Sequence, residues 1–188
     1  MTLSETISQF VIDARYEDLE VLHITSAKAA ISDCIGCAIA GSAEELGKII
    51  QKVALASSSV GQSTLLGSTG LVSPQAAALA NGTSAHALDF DDILWSLYGH
   101  PSTVLCPAAW AIAESTQASG KDLILAFAMG VEVIGKLGRF ANPMHYEHGW
   151  LATGTIGVIG ATVACSKLMS LNALQTAHAI GIAASQAC

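Results

Sequence analysis

The sequence predicts an all-α fold, in the form of a helical bundle-like domain, and three observations carry that prediction. Apolar residues recur at helical spacing along nearly the whole chain, with no strand-like alternation of any length and no internal repeat. The composition is 52% hydrophobic but only 5% aromatic, so packing falls to Ala, Ile, Leu, Val and Gly, whose small side chains let helices approach closely. Helix start and stop signals also punctuate the chain. The 188 residues suit one domain with a sizeable core, read as 1–188.

The elements follow in order. In LSETISQFVIDARY, Ile7, Phe10, Val11 and Ala14 share one face behind a capping Ser4. Residues 26–40 form a more apolar helix that Gly41 can end. Ser42-Ala-Glu-Glu45 reads as a capping box, with Leu46, Ile49, Ile50 and Val53 as the stripe behind it. SSSVGQSTLLGSTGLVS is loop-like, with room for short extended pieces. Ser73 before Pro74 is an N-cap followed by proline at the first helical position, opening a helix to about Ala87. Helices over about 103–117, bent or started near Pro107, and 121–140, with Leu123, Phe127, Val131 and Ile134 on one face, come next. Residues 142–152 form a loop. The segment 153–169 carries Gly157, Gly160, Ala161 and Ala164 as a smooth packing face. Asn172, with Gln175 at the third position, caps a last helix that stops while still apolar, as in a chain cut short.

Composition also excludes functions. Mean hydropathy is +0.51, but the longest apolar stretches, 53–88 and 149–166, are interrupted by Ser, Thr, Gln and Gly and lack the density of a spanning helix of about 20 residues. The N-terminus has neither a basic region nor an apolar core, which speaks against a secretory signal. Five cysteines, an odd count, read as buried free thiols of a reducing, cytoplasmic compartment. Cys34-Ile-Gly-Cys37 has redox or metal spacing, but it stands alone in an apolar helix and reads as two small core residues. A net charge of −7 with eight scattered basic residues offers nucleic acid no surface.

One segment departs from this pattern. No Asp, Glu, Lys or Arg occurs from Val53 to Leu88; then HALDFDDILWSLYGHPS places Asp89, Asp91 and Asp92 within four positions, bracketed by His86 and His100. Carboxylates crowded into one pocket cannot all ionise cheaply, which is how a carboxyl group becomes a proton carrier. His100 precedes Pro101, so its backbone is held extended, and Ser102 can cap the next helix. An imidazole fixed there, facing acids, is a general acid/base candidate. Asp-x-Asp-Asp with a nearby His can also take a hard cation, and the plain alternative is a solvated, helix-capping loop. His86, three positions from Asp89, can line the same pocket. His145 and His148 lack a third ligand and read as a surface loop, and His178 as a satisfied core or interface group. Lys136 and Arg139 are the nearest basic residues, at a helix end where cations complement the dipole.

LVSPQAAALANGTSAHALDFDD followed by HPSTVLCPAAWAIAE resembles the MmgE/PrpD family, and the resemblance continues through GVEVIGKLGRFANPMHYEHGW, ATGTIGVIGATVACSKL and ALQTAHAIGIAAS. It implies the N-terminal portion of an all-helical domain, apparently incomplete at its C-terminus, that in the family is joined to a smaller α+β domain. It further implies homodimers and metal-free, cofactor-free chemistry on small di- or tricarboxylates, by proton abstraction next to a carboxylate. Asp89, Asp91 and Asp92 match the family's DFDD and His100 its HPS histidine, as catalytic residues; His86 and Thr153 are carried over as substrate-binding. Two departures stand out. Ile93 replaces the usual Thr after DFDD, and Leu151 replaces the His of a GxHxTGT-like motif. The expected function is a lyase similar to 2-methylcitrate dehydratase. The alternatives are an iminodisuccinate epimerase-like isomerase, whose proton removal and return tolerates Leu151 better, and an inactive helical oligomerisation module. The 188-residue chain alone is expected to be a half-site without dehydratase activity, exposing apolar faces that drive dimerisation or aggregation.

Overall fold

The computed structural model describes residues 2–58 and 61–187. Among them the chain is helical nearly throughout. The helices are α1 (Leu3–Asp13), α2 (Val21–Ser42), α3 (Glu45–Ser57), α4 (Pro74–His86), α5 (Ser102–Thr116), α6 (Gly120–Ala141), α7 (Met144–Glu147), α8 (Ala152–Thr155), α9 (Gly157–Leu168) and α10 (Ala173–Gln186). A 3-10 turn, Tyr16–Asp18, separates α1 from α2. The expected extended pieces are β1 (Ser63–Thr64) and β2 (Leu71–Val72), paired antiparallel with Ser63 opposite Val72; residues 59 and 60 of that loop lie outside the described residues. The all-α class is what the chain adopts.

α5 is the axis of the packing. It contacts α4 and α2 on one side and α6 and α9 on the other; α3 backs α4, and α1 and α10 pack on α9. Three apolar clusters fill the gaps: a central one with Cys34, Ala85, Leu97, Leu105, Phe127 and Ile134, one beneath α1 and α10, and one between the hairpin, α4 and α5. Small residues set the spacing, as the composition implies. At the α6–α9 crossing a Cβ on Gly160 would strike Ile134 Cγ2 and lie 3.0 Å from the Gly130 carbonyl oxygen. Lys167 of α9 donates to the carbonyls of Val11, Ile12 and Ala14 at 2.7–3.0 Å, completing the C-terminal end of α1 with a cation.

Several expected boundaries move. The α1 cap is Thr2, in a capping box with Glu5, while Ser4 is inside the helix. α2 starts at Val21 and runs through Gly41, whose missing Cβ lets the Ser84 carbonyl approach; closeness of packing, rather than termination, is the use of that glycine. Ser42 forms no capping box: its hydroxyl donates to Ile39 O at 2.6 Å, and Glu44 is an uncapped N-cap for α3. Of the expected α3 stripe, Ile50 packs on the third cluster, while Leu46, Ile49 and Val53 are about half exposed, because Gly47 and Ala54 face the interior. Residues 142–152 contain α7, and 153–169 breaks at Ile156 into α8 and α9. Ser73 and Asn172 cap α4 and α10 as expected.

Of the cysteines, Cys34 and Cys106 are buried, Cys37 and Cys165 partly so; Cys188 lies outside the described residues. The Cys34 thiol is held well above its ordinary pKa, first by its hydrogen bond with Cys106 and then by burial, and burial alone raises Cys165 to about 11. These are inert, protonated thiols, as a packing role requires. His178 is exposed rather than a core group. No helix among the described residues is long and apolar enough to cross a membrane.

Candidate functional site

The acid-rich segment is the link of residues 87–101 between α4 and α5. Those two helices pack directly on each other, so the link must fold back over their ends. It has little regular structure, and its backbone is held from outside. Leu97 is fully buried in the central cluster, and its carbonyl accepts from Asn142 Nδ2 at 2.7 Å. Leu94 and Gly99 form an isolated antiparallel bridge. α6 supports the segment at Gly138, where a Cβ would collide with the Ser96 carbonyl and lie 2.8 Å from Leu97 Cα.

At one end, His86 occupies the last residue of α4 and the chain turns at once: Asp89 N–H donates to the His86 carbonyl, and Asp89 takes the left-handed conformation (φ 54°) that Asp tolerates better than bulky residues. At the other end, the backbone N–H of His100 donates to Thr153 Oγ1 at 3.0 Å, an approach that works because Gly99 has no side chain to strike that hydroxyl. The two ends bring the imidazoles together, ring centroids 4.7 Å apart and edge to face.

Asp91 sits between them. Its side chain is fully buried, and His86 Nδ1 lies 3.0 Å from each of its carboxylate oxygens; His100 Nδ1 is 3.3 Å from Oδ2 and 3.3 Å from the Asp91 carbonyl. Carboxylate and carbonyl oxygens only accept, so His86 presents Nδ1–H to the Asp91 carboxylate and His100 presents Nδ1–H to the Asp91 carbonyl, which leaves Nε2 of each ring as the other, free nitrogen. The free Nε2 of His100 then faces Asp89 Oδ1 at 3.6 Å, a carboxylate that is 77% exposed. His86 is 40% exposed and His100 18%. The arrangement is a buried Asp91 orienting two imidazoles, His86 by its carboxylate and His100 by its carbonyl, with His100 Nε2 and the exposed Asp89 carboxylate placed to share a proton. It can pass a proton between Nε2 and a bound molecule.

Asp92 is turned elsewhere. It accepts from Ser102 N at 3.1 Å and Ser102 Oγ at 2.6 Å, so it satisfies the first turn of α5. Ser102 is therefore inside α5, after Pro101 as N-cap, and donates to a cap rather than being one. Burial raises the Asp92 pKa, and the two Ser102 donors offset part of that rise. Thr153, expected at the substrate, has its hydroxyl on the His100 backbone. Ile93 and Leu151, the two family departures, are both exposed, and Leu151 opens α8.

The basic candidates do not reach this cluster. Lys136 pairs with Glu132 at 2.9 Å on the exposed side of α6, and Arg139 lies in its last turn. Among the described residues no Lys or Arg makes an ion pair with Asp89, Asp91 or Asp92. Sequence reasoning missed a groove of about 580 Å³ on the far side of the segment, where Asp92, Ile93 and Pro101 meet Phe127, Arg15 and His23. Its lining is dispersed from residue 10 to residue 132, so no local motif marks it. His145 donates to or accepts from Thr155 Oγ1 at 2.7 Å and stacks on Trp150, and His148 meets Met144 O, so the two do not converge.

A family model described as the MmgE/PrpD N-terminal domain matches residues 5–188. The chain is 33% identical over 180 residues to the cis-aconitate decarboxylase of Homo sapiens and 31% identical over 184 residues to that of Mus musculus, in each case covering 90% of this chain and 37% of the relative. It is 27% identical over 169 residues to the cis-aconitate decarboxylase of Aspergillus terreus, covering 86% of this chain and 34% of the relative. The chain thus spans little more than a third of the length of the curated relatives it matches.

Proposed function

Because this chain belongs to the MmgE/PrpD family, we propose that it supplies the proton-transfer half of a lyase site for small tricarboxylates, with decarboxylation of cis-aconitate as the reaction. The observation that supports this most is the Asp91-centred pair of imidazoles, with His100 Nε2 free beside Asp89. The names of the relatives support the choice of substrate.

Decarboxylation of an unsaturated tricarboxylate breaks a carbon–carboxylate bond. The released electron pair is accommodated by the double bond, and one proton is delivered to carbon as carbon dioxide leaves. The protein must therefore position one acid, which regains its proton from water, and it must hold the remaining carboxylates. In this reading His100 is the proton donor at Nε2 and Asp89 the group that returns the proton. Asp91 and His86 fix the imidazole orientation. Thr153 holds the backbone at His100 and so acts through that histidine. Asp92 acts through the α5 terminus.

The carboxylate clamp is the missing part. Two acids beside a trianion repel it, and no cation of the described residues offsets this at the cluster, so this reading needs a clamp from outside the described residues. A homodimer, proposed from the family, would cover apolar residues such as Phe140 (92% exposed) and Val21 (80%).

The test is substrate loss followed by NMR with cis-aconitate, 2-methylcitrate and iminodisuccinate, using the 188-residue chain and a longer chain extended to the relatives' length. The longer chain is expected to consume cis-aconitate and the short chain none of the three. Turnover of 2-methylcitrate would support the dehydratase-like reading, and of iminodisuccinate the epimerase-like one. An extended chain inert on all three would point to an oligomerisation module. Turnover by the 188-residue chain would refute the half-site reading.

A further inference from the structure

We infer that His86, Asp89, Asp91 and His100 form a binding site for a borderline divalent cation of the Zn2+ type. Each of the four offers one donor atom, and these atoms all lie within 4.8 Å of one another. Zinc bound tetrahedrally to nitrogen and oxygen at about 2.0–2.1 Å places neighbouring donors a little over 3 Å apart. Around Asp91 the spacings are already close to that, 3.0 Å to His86 Nδ1 and 3.3 Å to His100 Nδ1, and Asp89 is the donor that has to move in, since its 3.6 Å approach is to the other nitrogen of His100.

The donor set selects the ion. Two imidazoles with two carboxylates suit zinc and its neighbours, whereas Mg2+ and Ca2+ prefer oxygen alone. Charge points the same way, since two carboxylates with no Lys or Arg partner among the described residues match one dication.

The scaffold is preorganised on three sides. Asp91 is anchored by complete burial, His86 by the end of α4, and His100 by its backbone bond to Thr153. Asp89 is the exposed side, at 77% and on a left-handed turn, and a change of its side-chain rotamer can bring it in to close the shell. Binding exchanges the imidazole protons without loss of a proton from the ring as a whole: a nitrogen that ligates gives up its hydrogen, and the other ring nitrogen takes one from water. The exposed edge of His86 gives water access for that exchange.

The inference does not rest on the carboxylate-lyase reading, because binding is read directly. Where both hold, they exclude each other in time, since a cation occupies the nitrogens and oxygens that proton transfer needs.

The experiment is calorimetric titration of the chelator-stripped 188-residue chain with Zn2+ and, separately, Mg2+. One Zn2+ per chain and no Mg2+ uptake are expected. His86→Asn and Asp91→Asn should each weaken Zn2+ by more than the roughly 10–100-fold typical of losing an outer-shell partner, while His145→Asn/His148→Asn leaves binding unchanged. Co2+ substitution separates the cluster from the thiols: a spectrum without a thiolate charge-transfer band is expected, and one with that band would assign the ion to cysteine. Circular dichroism confirms that each variant is folded. Asp89→Asn serves as the second variant because its exposed side chain can be changed without disturbing the core. The inference is overturned by absence of Zn2+ uptake, or by uptake that survives both Asp89→Asn and His86→Asn.

Discussion

Replacing Asp91 by Asn tests whether its buried carboxylate orients His86. The carboxylate accepts from His86 Nδ1–H, 3.0 Å from each oxygen, with its side chain removed from solvent, while His100 Nδ1–H donates to the Asp91 carbonyl at 3.3 Å. Asn keeps the shape but has one acceptor oxygen and a donating NH2. His86 then faces a donor as well as an acceptor and is no longer held to Nδ1–H, whereas His100 keeps the carbonyl. A hydrogen bond to a charged group contributes about 1.5–3 kcal/mol, and removing the buried charge recovers part of its desolvation cost. A net loss on the order of 1–2 kcal/mol follows, or a melting point lower by roughly 2–8 °C for a domain of this size. The assays are thermal denaturation by circular dichroism and long-range 1H–15N correlation of the imidazoles. Wild type should show both rings with Nδ1–H, and Asp91→Asn should shift His86 toward Nε2–H and leave His100 as it was. A variant with unchanged melting and His86 still protonated at Nδ1 would refute the orienting role.

Three further outcomes follow from other parts of the fold. Lys167→Met removes three donors from the α1 carbonyls and should cost about 1.5–3 kcal/mol, with amide hydrogen exchange accelerated at the end of α1 ahead of global unfolding. Gly160→Ala places a methyl against Ile134 and the Gly130 carbonyl; overpacking of about 1–3 kcal/mol outweighs or cancels a helix-propensity gain of about 1 kcal/mol, so denaturant midpoints should fall or hold, and a clear rise would show that α6 and α9 are looser than described. For Asp92, the raised folded-state pKa means the fold favours the protonated carboxyl. The stability from this group is complete below the ordinary value of 3.8 and is lost as pH rises through the raised value. Urea midpoints of wild type should therefore drop relative to Asp92→Asn as pH climbs from below 3.8 through the mildly acidic range, and parallel pH profiles would count against burial as the dominant cause.

The fold was legible because helical periodicity and capping survive in sequence wherever one residue acts locally. Ser73 and Asn172 cap as read, each by accepting from the third residue of its helix. The misreadings came from side chains whose partners are set by tertiary packing. Gly41 looks like a stop signal and is a contact point for α4; Ser42 has the spacing of a capping box and bonds backward to Ile39. Leu46, Ile49, Ile50 and Val53 form a helical stripe, yet of these Ile50 alone packs inward, beside the face carrying Gly47 and Ala54, since small residues allow the closest approach. At the site, the grouping of His86, Asp89, Asp91 and His100 was visible from proximity in sequence. The division of labour among the acids was not, because alternate positions of an irregular link point in directions that no period predicts. Thr153, 53 residues from His100, could be joined to it only through the resemblance.

The concentration of acids in a charge-poor chain has a structural cause that precedes any chemistry. α4 and α5 pack against each other with small residues, so their termini are close and the 15-residue link cannot continue either helix. A link of that kind leaves backbone donors at the start of α5 unsatisfied and has no sheet or helix to absorb them. Asp92 answers this need by accepting from Ser102 N. Folding the link back also buries its middle, and a carboxylate there requires a donor, which His86 provides to Asp91, while His100 takes up the Asp91 carbonyl. Asp89 alone has no such obligation: it is exposed, on a left-handed turn, beside a nitrogen that the buried acid has oriented. Two of the three acids are thus committed to holding the segment in shape, and that commitment leaves the third, with His100, free to act on a ligand.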